Sequence, residues 1–152
     1  MRLRTVIVAT TVILCSFGMA GNVVNIPTNV LVAHESVKYS QSELIVAIAK
    51  VESNNRQFAV SSKGARGVTQ IMPKVWSKEL KDNGIIKDDV ELFDVSKNIK
   101  ACSYILNVLR KQHGNNLEKM LQHYSGRAVN YYNKVRKEMA RSKHKTFYNS
   151  NR

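Results

Sequence analysis

Apolar positions recur along this chain at steps of three and four, the spacing of a helix that buries one face. Over residues 40–52 a helical wheel puts Ile45, Ile48 and Glu52 on one face, flanked by Leu44 and Val51, with Glu43 and Lys50 opposite. Ser40 and Glu43 have capping-box spacing, so the helix is expected to begin with Ser40 accepting from first-turn amides and Glu43 reaching back. Three further helices are predicted: 73–81, with Pro73 in the tolerated first turn and Gly84 beyond the end; 95–113, stopped by Gly114; and 117–124. Val95, Ile99, Cys102, Leu106 and Leu109 form the apolar stripe of the longest, and Asp94 is its expected N-cap. Ala128, Tyr132, Val135 and Met139 predict a last amphipathic helix.

Two stretches break the pattern. Residues 54–70 are polar, contain Gly64 and Gly67, and read as one irregular segment. Residues 21–38 mix Asn, Val, Thr and Pro27 without a clean period and fit either an ordered arm or a flexible lead-in. No internal repeat occurs. The pattern describes a single small, mainly helical domain over 39–140, followed by a basic tail over 141–152.

The N-terminus has a different logic. Arg2 and Arg4 precede an uncharged, mostly apolar run over 6–15, and Gly18 and Ala20 supply small residues at the minus-three and minus-one positions of a cleavage site. Residues 1–20 therefore read as a signal peptide, cleaved after Ala20, which directs the protein to the periplasm or outside the cell. The run is shorter than the ~20 apolar residues a membrane-spanning helix needs, so no stable membrane span is expected after cleavage. Leu14 stands where a lipoprotein site at Cys15 would want a small residue.

Composition narrows the partners. Lys and Arg number 24 against 11 Asp and Glu, a formal charge of +13 that falls to +11 once Arg2 and Arg4 leave with the signal. An anionic partner is expected, and export makes a wall or envelope polymer a more natural one than nucleic acid. Aromatic residues are only 7% and do not alternate with basic ones as a nucleic-acid stacking platform requires. After cleavage Cys102 is alone and has no partner for an internal disulfide. His34, His113, His123 and His144 lack ligand-like spacing, so neither a metal nor a cofactor is expected.

The anomaly is Glu52, a carboxylate projecting from the apolar face near a helix C-terminus. Desolvation and the negative end of the helix dipole both disfavour its ionised form, and a carboxylic acid kept protonated near neutral pH is what general acid catalysis requires. The competing reading is a Glu at a fraying end that turns to solvent or pairs with Arg56 or Arg66. Asp82, Asp88, Asp89 and Glu91 lie in a polar connection and read as a solvated acidic face.

Downstream residues bear on that choice. Glu52-Ser53 is followed by Ala59-Val60-Ser61, then Gly64-Ala65-Arg66-Gly67-Val68-Thr69-Gln70, then Met72-Pro73. In this order and spacing the segment resembles the catalytic motif of the lysozyme-like lytic transglycosylases, the family of the soluble lytic transglycosylase domain. Asn98-Ile99 and Tyr104-Ile105-Leu106 resemble its next helix, and His123-Tyr124-Ser125-Gly126 stands where the family has Tyr-Asn-x-Gly. The resemblance runs from about Ser40 to Met139. It implies an α+β lysozyme-like fold, mainly α, in which the irregular segment lines a glycan groove.

The resemblance also implies the chemistry. Glu52 is expected to act as general acid and then base on the β-1,4 bond between N-acetylmuramic acid and N-acetylglucosamine, leaving a 1,6-anhydromuramyl end. Ser53, Gln70 and Ser125 are implied as substrate contacts, and Tyr124 as a hydroxyl reaching toward Glu52. Gly64 and Gly67 are expected to turn the backbone tightly, and Met72 and Trp76 to be core or groove wall. Thr69 replaces the usual Met and is expected to reshape the sugar-contacting wall; Asn55 and Gln57 replace Phe and Pro, and Ser125 replaces Asn. Peptidoglycan strands are the implied partner, in wall remodelling, in a secretion or conjugation apparatus, or in phage entry or lysis. Two alternatives remain: a hydrolytic muramidase on the same fold, and a non-catalytic basic module binding the envelope or nucleic acid. Eight Lys or Arg against Glu138 over 127–152 suit electrostatic retention on a polyanionic wall, or simply a solvated helix face.

Overall fold

A computed structural model describes residues 25–150, with side chains to Ser142. The signal peptide expected over 1–20, Cys15 and Arg152 lie outside the described residues.

Among the described residues there are six α-helices and one short 3-10 helix: α1 (Thr28–Ser36), α2 (Ser42–Ser53), α3 (Pro73–Asp82), the 3-10 helix (Asp89–Phe93), α4 (Val95–His113), α5 (Leu117–Tyr124) and α6 (Tyr131–Ser150). Four of the expected helices agree with α2 to α5 to within two residues at each end. The stripe on α4 is buried along its whole length, with Ile99, Cys102 and Leu106 fully inaccessible, and it meets Ile45 and Ile48 of α2 in one core. Around this pair, α1 lies against both α2 and α4, α5 joins α4 to α6, and α6 packs along α2.

One helix, two starts and one end differ from the pattern. Residues 21–38 contain α1, which periodicity misses because its buried positions are Val32 and the polar Ser36, while Ile26 and Val30 stay exposed. The Ser36 hydroxyl is satisfied by the Val32 carbonyl at 2.6 Å, and Ser96 of α4 donates to Glu35 at 2.8 Å. The capping box at Ser40 does not form: α2 begins at Ser42 with Gln41 as its N-cap and no side-chain capping bond. The chain enters α2 through a turn directly after α1, and Gln41 is buried with its amide donating to Asn107 of α4 at 3.2 Å. Tertiary anchoring takes the place of the local cap. Asp94 does cap α4, accepting from the Lys97 amide at 2.8 Å.

At the C-terminal side, α6 starts at Tyr131 and continues to Ser150 through the stretch read as a tail. Val135 is buried and Tyr132 and Met139 partly so, but Ala128 precedes the helix and is exposed; Tyr131, one turn before Val135, is buried in its place.

Residues 54–71 form the irregular segment. It contains only isolated antiparallel bridges, Val60 to Arg66 and Arg66 to Ile71, with Arg66 and Ile71 exchanging amide–carbonyl bonds of 2.9 and 3.0 Å. The segment folds back across the C-terminal end of α2, which turns off at Asn54 and Asn55, both left-handed at φ +55° and +61°. Asn tolerates that conformation better than other non-glycine residues.

Candidate active site

Glu52 occupies the last turn of α2, and its side chain lines a groove of about 520 Å³. One wall comes from the irregular segment through Ser61, Lys63, Ala65 and Gln70. Apolar lining comes from Met72, Val75 and Trp76 at the start of α3 with Ile105 and Leu109 of α4. His123, Tyr124, Ser125 and Gly126 close one end. Glu52 is the only carboxylate among these lining residues.

Burial pushes the Glu52 carboxyl above its ordinary range, and a nearby hydroxyl, that of Tyr131, pulls the other way by favouring the carboxylate. Tyr131 is itself 94% buried by the fold, and its hydroxyl is without a partner in full hydrogen-bond geometry, so it stands close to Glu52 without closing a bond. The location at the C-terminal end of α2 adds the unfavourable field of unpaired carbonyls. Arg56 and Arg66 do not neutralise the acid: the Arg56 guanidinium donates to the Ser53 carbonyl at 3.0 Å, and that of Arg66 lies over the Phe93 ring at 5.8 Å. Glu52 is thus poised toward its neutral, proton-donating form.

The other acids have structural occupations. Asp82 pairs with Lys78 at 2.6 Å, Asp89 with Lys81 at 2.9 Å, and Glu91 with Lys97, while Asp88 caps the 3-10 helix through the Val90 amide at 2.9 Å. None lines the groove.

The residues implied as substrate contacts divide into two kinds. Ser53 is buried; its hydroxyl donates to the Val68 carbonyl at 2.7 Å and accepts from the Arg56 amide at 3.1 Å. These internal bonds tie the end of α2 to the irregular segment, and a substrate contact is not what they show. Gln70 does line the groove, but its amide nitrogen is already used on the Gly67 and Ala59 carbonyls, at 2.9 and 3.1 Å, which stabilises its own left-handed conformation at φ +51°. Ser125 also lines the groove and accepts from the Ala128 amide at 3.2 Å. Tyr124 lines it too, but its hydroxyl donates to the Thr69 carbonyl at 2.9 Å and lies 3.4 Å from the Cys102 sulfur. The hydroxyl directed at Glu52 is that of Tyr131.

Thr69 does not shape the sugar wall. Fully buried, it turns its hydroxyl inward to the Asn98 side-chain oxygen at 2.7 Å, which also accepts the Thr69 amide at 3.0 Å. The Asn98 nitrogen donates to the Leu92 carbonyl at 2.7 Å and the Arg66 carbonyl at 3.2 Å. One fully buried side chain of α4 therefore holds the segment at two points. Gly67 makes the close approach feasible: at φ +76°, a Cβ there would stand 2.1 Å from the Leu92 carbonyl oxygen and 2.3 Å from the Asn98 nitrogen. Cys102, buried beneath this network, has its thiol pushed up to about 12 by desolvation and is unreactive as a nucleophile.

Sequence reasoning missed Tyr131, Lys63 and the groove position of His123. The signal for Tyr131 was present, since it falls one helical turn before Val135. His123 is exposed at the groove, and its ring packs on that of His113, centroid to centroid 4.3 Å.

No cluster of His, Cys, Asp and Glu suited to a metal ion occurs among the described residues, and no described helix is long and apolar enough to cross a membrane. No curated protein and no solved structure matches the chain. The family model of the transglycosylase SLT domain matches residues 30–147, from α1 to near the end of α6. With most of its length covered by that match, the chain belongs to the transglycosylase SLT domain family, whose function is of the peptidoglycan transglycosylase type.

Proposed function

We propose that this protein is an exported lytic transglycosylase that cleaves the β-1,4 bond between N-acetylmuramic acid and N-acetylglucosamine, with Glu52 as its single acid and base. The observation that carries the proposal is the isolation of Glu52 as the one carboxylate lining the groove, half-buried and shifted by desolvation toward its protonated form. Two-carboxylate glycosidases need a second acid across the scissile bond. The groove offers none, which suits a reaction whose nucleophile belongs to the substrate.

In this mechanism the apolar wall of Met72, Val75 and Trp76 takes sugar faces while Glu52 protonates the glycosidic oxygen. As the C1–O bond breaks, the neighbouring acetamido oxygen stabilises C1. Glu52, now a carboxylate, accepts the proton of the C6 hydroxyl as O6 bonds to C1 and closes the 1,6-anhydro ring. The Glu52 proton goes to the leaving oxygen and is replaced by the one from O6, so no water is consumed. The Tyr131 hydroxyl is suited to hold the carboxylate during the second half, since its dipole favours the ionised form. Ser125 and Gln70 stand along the groove where sugar hydroxyls and amides would lie.

The test is mass spectrometry of soluble fragments released from purified peptidoglycan by the mature protein, beside Glu52→Gln. Anhydro fragments, lighter by one water than reducing-end products and reduced at least about 100-fold in the variant, are expected. Reducing ends that depend on Glu52 would instead assign a muramidase. Export is part of the proposal, and the mature protein is expected to begin at Gly21, as N-terminal analysis of the exported form would show.

A further inference from the structure

Lys63 is the one Lys or Arg among the residues lining the groove. Lys63 stands at the tip of a short turn whose frame is fixed: the Ser61 amide donates to the Ala65 carbonyl at 3.0 Å, the Gly64 amide to the Ser61 carbonyl at 2.9 Å, and the Ala65 amide to the Ser61 hydroxyl at 3.0 Å. Gly64, at φ +84°, lets the chain reverse directly after Lys63. The side chain is exposed and makes no ion pair among the described residues, whereas Lys78, Lys81 and Lys97 all do. A hydrogen-bonded turn thus sets an uncompensated cation on the lining of a groove that also carries the apolar Met72, Val75 and Trp76.

Glycan rings in peptidoglycan are neutral where the muramyl lactyl group is joined to its peptide in an amide, and the remaining carboxylates belong to the peptide stem. Resting on the transglycosylase reading, we propose that Lys63 is a specificity-determining residue that pairs with a peptide-stem carboxylate beside the cleaved bond, so that the preferred substrate is glycan whose stems are present and unamidated. The geometry places this contact on the segment wall and leaves the sugar faces to the α3 wall. Pairing is with the ground state and the transition state alike, because the stem carboxylate does not change during cleavage. The effect is therefore expected in KM and not in kcat.

The experiment measures fragment release by the mature wild type, Lys63→Met and Lys63→Arg on two preparations of one wall: untreated, and with stem carboxylates converted to amides. On untreated wall Lys63→Met is expected to raise KM roughly threefold to fivefold, the range of a solvent-exposed ion pair, with kcat unchanged and Lys63→Arg close to wild type. On amidated wall wild type is expected to show the same rise, and Lys63→Met no further one. Equal losses by Lys63→Met on both walls, or no change on untreated wall, would overturn the assignment while leaving the lytic reading intact. Absence of any release by wild type from either wall would overturn that reading first, and this one with it. Thermal midpoints of the variants are expected to match wild type, because the side chain is exposed at a turn.

Discussion

The α2–α4 core and the irregular segment over 54–71 lie against each other but are held by different forces. The core depends on area: Ile45, Ile48, Ile99, Ile105 and Leu106 are all at most 1% exposed, and each adds an increment of burial that its neighbours share. The segment depends on points: three hydrogen bonds to Asn98, one from Ser53, one from Tyr124, and the missing side chain of Gly67. A distributed interaction degrades gradually, whereas a point attachment fails when its one residue changes. The groove takes residues from both, Glu52, Ile105 and Leu109 from the α2–α4 core and Ser61, Lys63, Ala65 and Gln70 from a segment whose position is set by a few polar contacts.

Gly67→Ala should separate the two regions most sharply. The new methyl collides with backbone at 2.1 Å and requires φ +76° of an Ala, so a loss of more than about 4 kcal/mol is expected in denaturant unfolding. A loss below ~1 kcal/mol would mean that the segment shifts easily and is not pinned. Leu106→Ala, a cut to the core, should cost about 3 kcal/mol yet leave the turnover of the folded fraction unchanged. Asn98→Ala should cost a similar or smaller amount, about 2–3 kcal/mol, because the Thr69 amide and hydroxyl lose their buried acceptor, and it should also lower turnover well below the unfolding transition. Equal turnover in these two variants would remove the distinction between area and points. Tyr124→Phe removes one bond to the Thr69 carbonyl, with about 1 kcal/mol expected.

The smallest effect is a dependence on pH. Glu52 has a folded-state pKa above its usual 4.5, so the folded chain keeps a proton that the unfolded chain releases. Its contribution to stability is full below about 4.5 and declines as pH rises through the folded value. Glu52→Gln, with no proton to lose, should therefore gain in stability relative to wild type as pH rises across that window, while wild-type turnover falls on the same limb. Melting curves of both proteins from acid to neutral pH would check this, and a relative gain in the opposite direction would mean that the carboxyl is not desolvated.

Much of this architecture was legible without coordinates because it follows from periodicity. The stripe on α4, the starts of α3 to α5 and the projection of Glu52 from an apolar face are consequences of 3.6 residues per turn and of the residues at those steps. The motif around Glu52 likewise marked the family and the irregular segment. What only tertiary structure decided were contacts between residues distant in sequence. Gln41 starts α2 through α4 and not through a local cap; Thr69 faces Asn98, 29 positions on, and not the groove; Ser53 braces the segment; and the Tyr131 hydroxyl approaches Glu52 while that of Tyr124 bonds the Thr69 carbonyl. Each of these is a polar side chain choosing among several partners of similar intrinsic strength. Local sequence sets the inventory of donors and acceptors, but burial decides which of them must be satisfied and by whom.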